Sequence, residues 1–577
     1  MHEQREYGFF NWGDSFGEKG ENWTNNEYDM AYGLFMTFLR TGDRRIFRHA
    51  LEAARHQADV DTCHAYPDPY YVGADLGHRA GHTGKYKMWS SFYNYYQTAA
   101  NGHTWSAGMT DAWHLAGEAS VMDAVHLLGD HIALAMAPNY QPSIHPPTPR
   151  ECSWALRAVL KIYDSTLDPV YLEAAKTLAY KAIGHCKKFK GSVWAFRNPR
   201  LVSQHSDNSL SNVLFVTAIG LKGLCEYYQA TRDEEVKPFI GNMARRILCG
   251  FDPAAACGFA YDVRDDGTKL NYSVVTLNPS IAPPLAEAAV ILDDPVLYDA
   301  ASRAMAVCFL RSPGIAGKYL AEYQSFLADF LAAYGKFPEK YRLDFTDEGL
   351  LSKIFAGTPQ KWSWRGPNPM SYRVKLLKDG KVHLVFQRWI NSYRNKKKME
   401  GAAITISDGA GKVLETRPFD TSSGRLMEKI ELSGRKGDVF DVTIRDTANG
   451  DWSLLPDEVF VHAAVTEKGS VKITRCGLVR FYFEIPAGKD VSISFYGAHA
   501  GGFGYWLFDD TGRLVKKATS WQARHAISTK PDAVLELKIP GSEKKRLVSI
   551  VLWAENDALF KIDAPYVSAD SAFFGVK

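Results

Sequence analysis

The sequence lacks the features that would assign it to several familiar classes of protein. None of its eight cysteines forms a CxxC pair, so neither a zinc knuckle nor a redox dithiol is indicated. No apolar run approaches the roughly 18–20 residues of a membrane-spanning helix. The first residues also lack the basic and then apolar pattern of a secretory signal. We therefore expect free thiols, no membrane segment, and a cytoplasmic location unless the natural start of the chain has been removed.

A dominant charge is missing as well. The formal net charge is +3 over 577 residues, which provides no basic field for nucleic-acid binding. Hydrophobic residues make up 46% of the chain and charged residues 23%, as in ordinary globular proteins. Because a chain of this length exceeds a single core, we expect about three or four folded units. Nothing in the pattern indicates an oligomeric state.

Helical patterns dominate residues 28–335, and they come in pairs joined by short polar junctions that contain an acid. Five pairs follow one another, and a further helix is predicted at 318–335. The junction acids are Asp43, Glu118, Asp168, Asp233 and Asp294. An acid at a helix start accepts bonds from free backbone N–H groups, so we assign these residues a structural role. Repeated hairpins of unequal length predict a closed (α/α) toroid of five to six helical hairpins.

The pattern changes near residue 340, where a linker leads into segments of period two. These segments are separated by DG, SSG and NG turns, which is typical of antiparallel strands. We predict two antiparallel β-sandwiches after the toroid. The predicted domains are a catalytic toroid at 1–340, a first sandwich with its linker at 341–464, and a second sandwich at 465–577.

Residues 8–114 interleave polar, aromatic and glycine residues without a helical period. In a toroid, long loops gather at one end of the ring and line a cleft, which is where function concentrates. His56 and Asp59 share a face at the end of the first pair's second helix. A second polar cluster, with His205 and Asn208, is placed to reach the same cleft from another side. We expect these loops to meet at one mouth of the ring.

Several elements of this region occur in a recognisable order. They read NWGD, GEKG, NWTNNEYD, FLRTGDRR, ARHQADVDTCH and GHTWSAG. In them the sequence resembles the central toroid of the exo-acting rhamnogalacturonan lyases and their bacterial relatives. The resemblance covers roughly residues 8–335, and its first third is the specific part. It implies an enzyme that cleaves an acidic, uronic-acid-containing glycan by β-elimination. Members of that family usually carry a β-rich domain before the toroid, whereas this sequence begins almost at the motif.

A lyase of this class removes the proton at C5, next to the carboxylate, and expels the C4 substituent. The site must offset the charge that builds up, and it needs an acid and a base, commonly His or Tyr. Our catalytic candidates are His78, His82, His103, Tyr28 and His56. Our substrate-binding candidates are Trp12, Trp23, Asn25, Asn26, Glu27, Arg55, Asp59, Arg79, Trp105, His205 and Asn208.

A metal site is a further option, because His78 and His82 are four residues apart and His103 or His64 offers a third ligand. We assign no metal and no other cofactor from the sequence, and a divalent cation stays open.

Two other functions stay open beside the lyase. Toroids also host glycoside hydrolases that use two carboxyl groups, and Glu27, Asp29, Asp59 and Asp61 are candidates for such a pair. Alternatively, the chain binds glycans without turnover. Exposed indoles in the linker and the sandwiches would favour this function, and the candidates are Trp362, Trp364, Trp389 and Trp506.

Overall fold

The structure is a computed structural model, and the chain divides in it into two compact units. One unit comprises Met1–Asp252 with Cys257–Phe345, and the other comprises Pro253–Ala256 with Thr346–Lys577. The residues that the structure describes are 28–67, 69–74, 104–139, 150–188, 211–264, 267, 269, 273–310, 318–356, 363–365, 369–389, 402–419, 425–446, 451–454, 457, 459–466, 470–473, 478–497, 501–522, 533–554 and 558–575.

The described helices of the first unit alternate between an inner and an outer layer. The inner helices are α1 (Met30–Thr41), α3 (Ala107–Ala116), α5 (Arg150–Thr166), α7 (Leu214–Thr231), α9 (Asn278–Leu292) and α11 (Lys318–Tyr334). Each of them packs against the next, and α11 packs back against α1. The inner helices therefore close a ring, as the hairpin pattern predicts.

The outer helices each follow an inner helix and pack against it. They are α2 (Arg44–His56), α4 (Ala119–Asp130), α6 (Pro169–Lys188), α8 (Lys237–Leu248) and α10 (Pro295–Leu310). Wider π-type turns extend α2 over Gln57–Asp61 and α4 over His131–Met136, with a last turn at Ala137–Asn139. Short 3₁₀ turns lie at Pro69–Tyr71, Val275–Leu277 and Glu339–Tyr341. The predicted toroid of five to six hairpins is confirmed.

Three of the five junction acids cap the helix that follows them, and a fourth, Asp233, holds the turn before α8. The carboxylate of Asp43 accepts from the backbone N–H of Arg45 at 2.9 Å. Equivalent bonds start α6 and α10, from Asp168 and Asp294 at 3.0 and 2.9 Å. Asp233 accepts from the backbone N–H of Glu235 at 3.1 Å, in the turn that leads into α8. Glu118 differs: its side chain does not cap α4 but pairs with Arg55, with Oε1 2.5 Å from Nη2. Its longer side chain ties the end of α2 to the start of α4.

Small residues fill the layer between inner and outer helices. Ala53 and Ala54 of α2, Ala112 of α3 and Ala124 of α4 are fully buried there. Alanine lets two helix backbones approach closely, and the inner helices α7 and α9 are buried along most of their length. A helix that is buried on all sides is expected to be apolar all round. The charged residues that α7 and α9 nevertheless carry must therefore be paired with other charges inside the protein.

Short strands occupy the connections before α7 and α9. They are β1 (Ser211–Val213), β2 (Phe251–Asp252), β3 (Gly258–Ala260), β4 (Asp262–Arg264) and β5 (Ser273–Val274). β1 pairs with β4, and β2, β3 and β5 form a small antiparallel sheet. None of the described helices is long and apolar enough to cross a bilayer.

The second unit begins with helix α12 (Asp347–Ile354) and continues as strands. Those before residue 466 are β6 (Ser363–Arg365), β7 (Met370–Leu376), β8 (Gly380–Trp389), β9 (Ala403–Asp408), β10 (Val413–Pro418), β11 (Arg425–Gly434), β12 (Val439–Arg445), β13 (Asp451–Leu454) and β14 (Phe460–Val465). Those after it are β15 (Ser470–Ile473), β16 (Leu478–Ile485), β17 (Val491–Gly497), β18 (Gly501–Phe508), β19 (Leu514–Gln522), β20 (Leu535–Ile539), β21 (Arg546–Ala554), β22 (Ala558–Ile562) and β23 (Tyr566–Val567). A 3₁₀ turn at Ser571–Phe574 follows.

The described strands of this unit form antiparallel sheets around one apolar core. Their orders are β10-β9-β12-β7-β14-β23, β11-β8-β13-β6-β15-β22-β17-β20 and β16-β21-β18-β19. Side chains alternate between core and outside, as β7 shows with Met370, Tyr372, Val374 and Leu376 buried. The eight-stranded sheet takes strands from both sides of residue 465, where β6 pairs with β15. The two sandwiches thus share a sheet, and the domain boundaries at 340 and 464 stay predictions.

Candidate functional site

The long connections of the ring all lead to the same end of it. Two to five residues join each inner helix to the outer helix that follows, whereas longer segments lead back to the next inner helix. Because consecutive helices of a hairpin run antiparallel, the inner helices run in one direction. Their amino-terminal ends therefore gather at one mouth, where Tyr28 and Asp29 precede α1 and Thr104–Ser106 precede α3.

A pocket lies among the amino-terminal residues of α1 and α3 and the neighbouring faces of α5 and α11. Its empty volume, including the space open to solvent, is about 410 Å³. Tyr28 and Asp29 line it at the start of α1, and Trp105 and Ser106 line it at the start of α3. Two hydrogen bonds brace the second pair. Gln57 Nε2 donates to the Trp105 carbonyl at 2.7 Å, and the Ser106 hydroxyl donates to a carbonyl of α5 at 2.8 Å.

Aromatic side chains form one wall of this pocket. The rings of Trp105 and Trp154 stand edge to face, with their centroids 4.8 Å apart. The Tyr28 ring lies 6.1–6.2 Å from both indoles and from the ring of Phe326. All of these side chains are at least 96% buried in the protein. Such a wall offers aromatic edges and faces at the pocket rather than a flat platform on the surface.

Tyr28 sits in an unusual turn. Both it and Asp29 adopt left-handed backbone conformations, with φ of 67° and 58°. Each costs free energy for a residue that is not glycine, and such strain tends to be retained at functional sites. The Asp29 carboxylate holds the turn by accepting from the backbone N–H groups of Tyr32 and Gly108, both at 3.1 Å. The Ser325 hydroxyl donates to the carbonyl of Tyr28.

Gly108 is required by this close approach. A Cβ atom at Gly108 would lie 2.4 Å from the Ala31 Cβ and 2.6 Å from the Asp29 Oδ1. Both distances are too short for any side chain, so glycine lets α3 come within hydrogen-bonding distance of the Asp29 carboxylate. The start of α3 therefore fixes the turn that carries Tyr28.

Two carboxyl groups beside the pocket titrate near neutrality. Burial raises the pKa of Asp29 to about 6, against the lowering effect of its backbone hydrogen bonds and of Arg157. Burial, and next the negative charge of Asp29, raise the pKa of Asp111 to about 7, while Lys161 lowers it. Groups with pKa values in this range can give or take a proton at the pH of most cells.

Charged side chains from four inner helices meet below the aromatic wall, and we call them the ring cluster. They are Arg157 of α5, Lys222 and Glu226 of α7, Glu287 of α9 and Asp329 of α11. Lys222 Nζ lies 3.2 Å from both Glu226 Oε1 and Asp329 Oδ2, and it also donates to Glu287. Arg157 Nε donates to Glu226 Oε2 at 3.3 Å, and its Nη2 lies 3.7 Å from Asp329 Oδ2.

The acids of the ring cluster differ in their proton affinity. Burial raises the pKa of Glu287 above its usual range, and the charges of Asp329 and Glu226 raise it further, against the lowering effect of Lys222. Burial acts the same way on Glu226, but Arg157 and Lys222 overcome it and hold its pKa below the usual range. Within the cluster, a proton is therefore held more tightly by Glu287 than by Glu226.

Of the predicted site residues, the structure places Tyr28 and Trp105 together in the pocket. His56 is fully buried at the end of α2, with its Nε2 3.8 Å from Asp61 Oδ1. Arg55 is paired with Glu118, and Asp59 is exposed. The remaining candidates lie outside the described residues: Trp12, Trp23, Asn25, Asn26, Glu27, His78, Arg79, His82, His103, His205 and Asn208.

The metal site that the sequence leaves open would use His78, His82 and His103, which lie outside the described residues. Among the residues that the structure describes, no group of three or more His, Cys, Asp or Glu side chains could hold a metal ion. His64, one of the suggested ligands, has its Nε2 2.7 Å from the carbonyl oxygen of Ala58. A divalent cation held by His78, His82 and His103 stays a prediction.

The sequence analysis missed the ring cluster. A signal was present, because Lys222 and Glu226 interrupt an otherwise apolar helix, as does Glu287 in the run APPLAEAAVIL. Charges on a helix that is buried all round must be paired with one another. The partners of these charges lie on other inner helices, which meet only when the ring closes.

Comparisons with known proteins place the chain near solved structures, but no family model and no curated protein matches it. A crystal structure of unsaturated glucuronyl hydrolase specific for heparin is 12% identical, with a TM-score of 0.37, over 57% of this chain and 92% of that chain. A GH127 β-arabinofuranosidase is 13% identical, with a TM-score of 0.40, over 98% of this chain and 91% of that chain. Cellobiose 2-epimerase from Bacillus thermoamylovorans is 10% identical, with a TM-score of 0.41, over 57% and 94%. With TM-scores below 0.5, these similarities do not establish what this chain does.

Proposed function

We propose that the chain is a carbohydrate-active enzyme that cleaves a uronic-acid-containing polysaccharide or oligosaccharide by β-elimination. The resemblance of its first third to the rhamnogalacturonan lyases supports this reaction. The observation that carries the proposal is the pocket at the amino-terminal mouth of the ring. It combines an aromatic wall, a strained turn bearing Tyr28, and cationic side chains of α5.

Each part of the pocket has a task in this reaction. Trp105 and Trp154 offer apolar surface to the C–H groups of a sugar ring. Arg157 and Lys161 can offset the charge that grows on the carboxylate when the C5 proton leaves. Tyr28, which lines the pocket, is a candidate for transferring a proton. The other candidates predicted from the sequence are His78, His82 and His103, and His56, which is fully buried outside the pocket lining.

A glycoside hydrolase is the second candidate, and Asp29 is the observation that favours it. Its carboxyl group lines the pocket, and its pKa of about 6 is suited to a general acid. The other acid of a hydrolytic pair would come from Glu27, Asp59, Asp61 or the neighbouring Asp111. The non-catalytic alternative loses one of its supports, because Trp506 is only 5% exposed and donates its Nε1–H to Asp347 at 2.8 Å.

The reaction products distinguish these functions. We would incubate the protein with rhamnogalacturonan, ulvan and glucuronan oligomers and record both ultraviolet absorbance and reducing ends. A lyase raises both signals, because elimination creates a C4–C5 double bond, whereas a hydrolase raises reducing ends alone. Binding without either signal would leave the glycan-binding function.

His82→Ala and His103→Ala test the predicted catalytic histidines in the same assay. His114→Ala is the matched control, because His114 is exposed near the carboxyl end of α3, away from the pocket mouth. We expect the first two variants to lose at least about tenfold in rate, as removal of an acid or base does. Full turnover by both would remove these histidines from the mechanism without deciding the reaction.

A further inference from the structure

Two hydrogen-bond donors of α5 line the pocket without a partner in the described part of the chain. Trp154 is 4% exposed, and its Nε1–H makes no hydrogen bond there. Arg157 follows three residues later on the same face of the helix, and its Nη1 is unbonded in the same sense. Buried donors are almost always satisfied in native proteins. Two of them side by side in a pocket indicate that a ligand supplies the acceptors.

Arg157 is held in place for such a contact. Its Nε and Nη2 face Glu226 and Asp329 of the ring cluster. Its guanidinium carbon lies 4.7 Å from the centroid of the Trp154 ring and 5.4 Å from that of Phe326. The plane of the guanidinium is thus fixed on two sides before any ligand arrives, so little freedom is lost on binding.

Lys161 completes a stripe of donors along α5. It lies four residues beyond Arg157, lines the same pocket, and has a side chain that is 35% exposed. Residues 154, 157 and 161 therefore present an indole N–H, a guanidinium N–H and an ammonium group on one helix face. None of these three groups can accept a hydrogen bond. The stripe selects a group that is rich in acceptors.

We propose that this donor stripe binds the carboxylate of a uronic acid. A carboxylate accepts several hydrogen bonds at once and bonds most strongly to charged donors. The inference rests on the proposed function, since it takes an acidic sugar as the substrate, and it names the residues that recognise the acid. The nearby Asp29 carboxylate already accepts from the backbone N–H groups of Tyr32 and Gly108.

The test compares acidic sugars with their neutral counterparts on the full chain. Titration calorimetry would measure galacturonate against galactose and glucuronate against glucose. We expect the wild-type protein to bind each uronate at least about tenfold more tightly than the matched neutral sugar. Trp154→Phe and Lys161→Met should each reduce that ratio several-fold, because each removes one donor to the carboxylate.

Matched controls remove the same groups elsewhere. Trp113→Phe removes an exposed indole at the other end of α3, and Lys176→Met removes an exposed ammonium on the outer helix α6. Both should keep the wild-type ratio. A change in general packing would weaken acidic and neutral sugars alike, so the ratio separates recognition from folding. If Trp154→Phe unfolds, the half-exposed Lys161 still provides the test.

The inference would be overturned if the wild-type protein bound uronates and neutral sugars equally or bound neither. It would also be overturned if both variants kept the wild-type ratio. Glycan cleavage with an unchanged ratio would leave the proposed function standing and remove the stripe. If the variants lose the selectivity for uronates but no tested glycan is cleaved, the donor stripe is supported and the proposed function is not.

Discussion

The two units of the molecule bury charge in different ways. In the β unit, Arg388 and Asp446 form a closed pair, with Nε to Oδ2 at 2.7 Å and Nη2 to Oδ1 at 3.1 Å, and Trp452 donates to the same carboxylate at 2.8 Å. In the ring, two cations share three acids, and donors of the adjoining Trp154 and Arg157 stay unbonded within the described residues.

We interpret the Arg388–Asp446 pair as a structural arrangement and the ring cluster as one that supports the proposed chemistry. A closed pair with matched hydrogen bonds holds neighbouring parts of the β unit together. In the open cluster beside the pocket, burial raises the pKa of Glu287, and Trp154 Nε1 and Arg157 Nη1 make no hydrogen bond within the described residues. Shifted pKa values are enriched at functional sites. The following changes test that contrast, from the largest expected effect to the smallest.

Lys222→Met should have the largest effect, because it removes one of the two cations that contact three buried acids. We expect the free energy of unfolding to fall by about 3–5 kcal/mol near pH 8. The loss should be smaller near pH 5, because the acids then take up protons. Denaturant unfolding at both pH values measures this, with Lys237→Met as the control, since Lys237 pairs with Glu234 at the surface. Equal losses at the two pH values would contradict the charge account.

Asp446→Ala breaks the closed pair of the β unit and removes the carboxylate that faces the buried Arg388. We expect a loss of about 3 kcal/mol in the free energy of unfolding. The loss should depend little on pH between about 5 and 8, since arginine keeps its charge throughout. Asp441→Ala removes the half-exposed partner of Arg373 and should cost less than about 1 kcal/mol. If the two variants lost equal stability, burial would not be the cause.

Asp29→Asn should change the pH dependence of stability. Because the pKa of Asp29 is raised in the folded protein, the folded state binds its proton more tightly than the unfolded state does. Its contribution is present below the unfolded pKa near 4 and is lost as the pH rises to about 6. Asparagine cannot ionise, so the variant should gain about 2–3 kcal/mol relative to the wild type between pH 4 and pH 7. A constant difference across that range would mean that burial does not shift this carboxyl group.

Gly108→Ala should disturb the pocket with a moderate loss of stability. The added methyl group would press on Ala31 and on the turn of Tyr28 and Asp29, which costs about 1–3 kcal/mol. The rate of glycan cleavage should fall even under conditions where the variant stays folded, because the added methyl group displaces Tyr28. Gly241→Ala on α8 is the control, since its Cβ would find contacts no closer than 3.7 Å. Unchanged cleavage by Gly108→Ala would separate the turn from the reaction.

Much of the ring could be predicted because its signals are local. Helical periodicity and junction acids such as Asp43 and Asp294 lie within a few residues of the helices they define. The role of Glu118 was not predicted correctly, because its side chain pairs with Arg55 instead of capping its own helix. In the same way, turn residues and the alternation of apolar and polar residues predicted the strands. They did not predict that β6 pairs with β15 and so joins the two sandwiches into one sheet.

The site was less accessible to sequence analysis. Tyr28 and Trp105 came from a motif, and the structure brings them together from positions 77 residues apart by closing the ring. Lys222, Glu287 and Asp329 belong to three separate helices, and only the packing of those helices shows that their charges share one space. Pairing across the ring is a tertiary property, so no spacing within one segment could reveal it.

The most direct test of the pocket is a crystal structure of the protein with a uronic-acid oligosaccharide. We predict that a sugar ring lies against Trp105 and Trp154 at the mouth of the ring, with its carboxylate within hydrogen-bonding distance of the donors of α5. Sugar bound only to the β unit, or an empty pocket in crystals that hold the oligosaccharide elsewhere, would contradict this account.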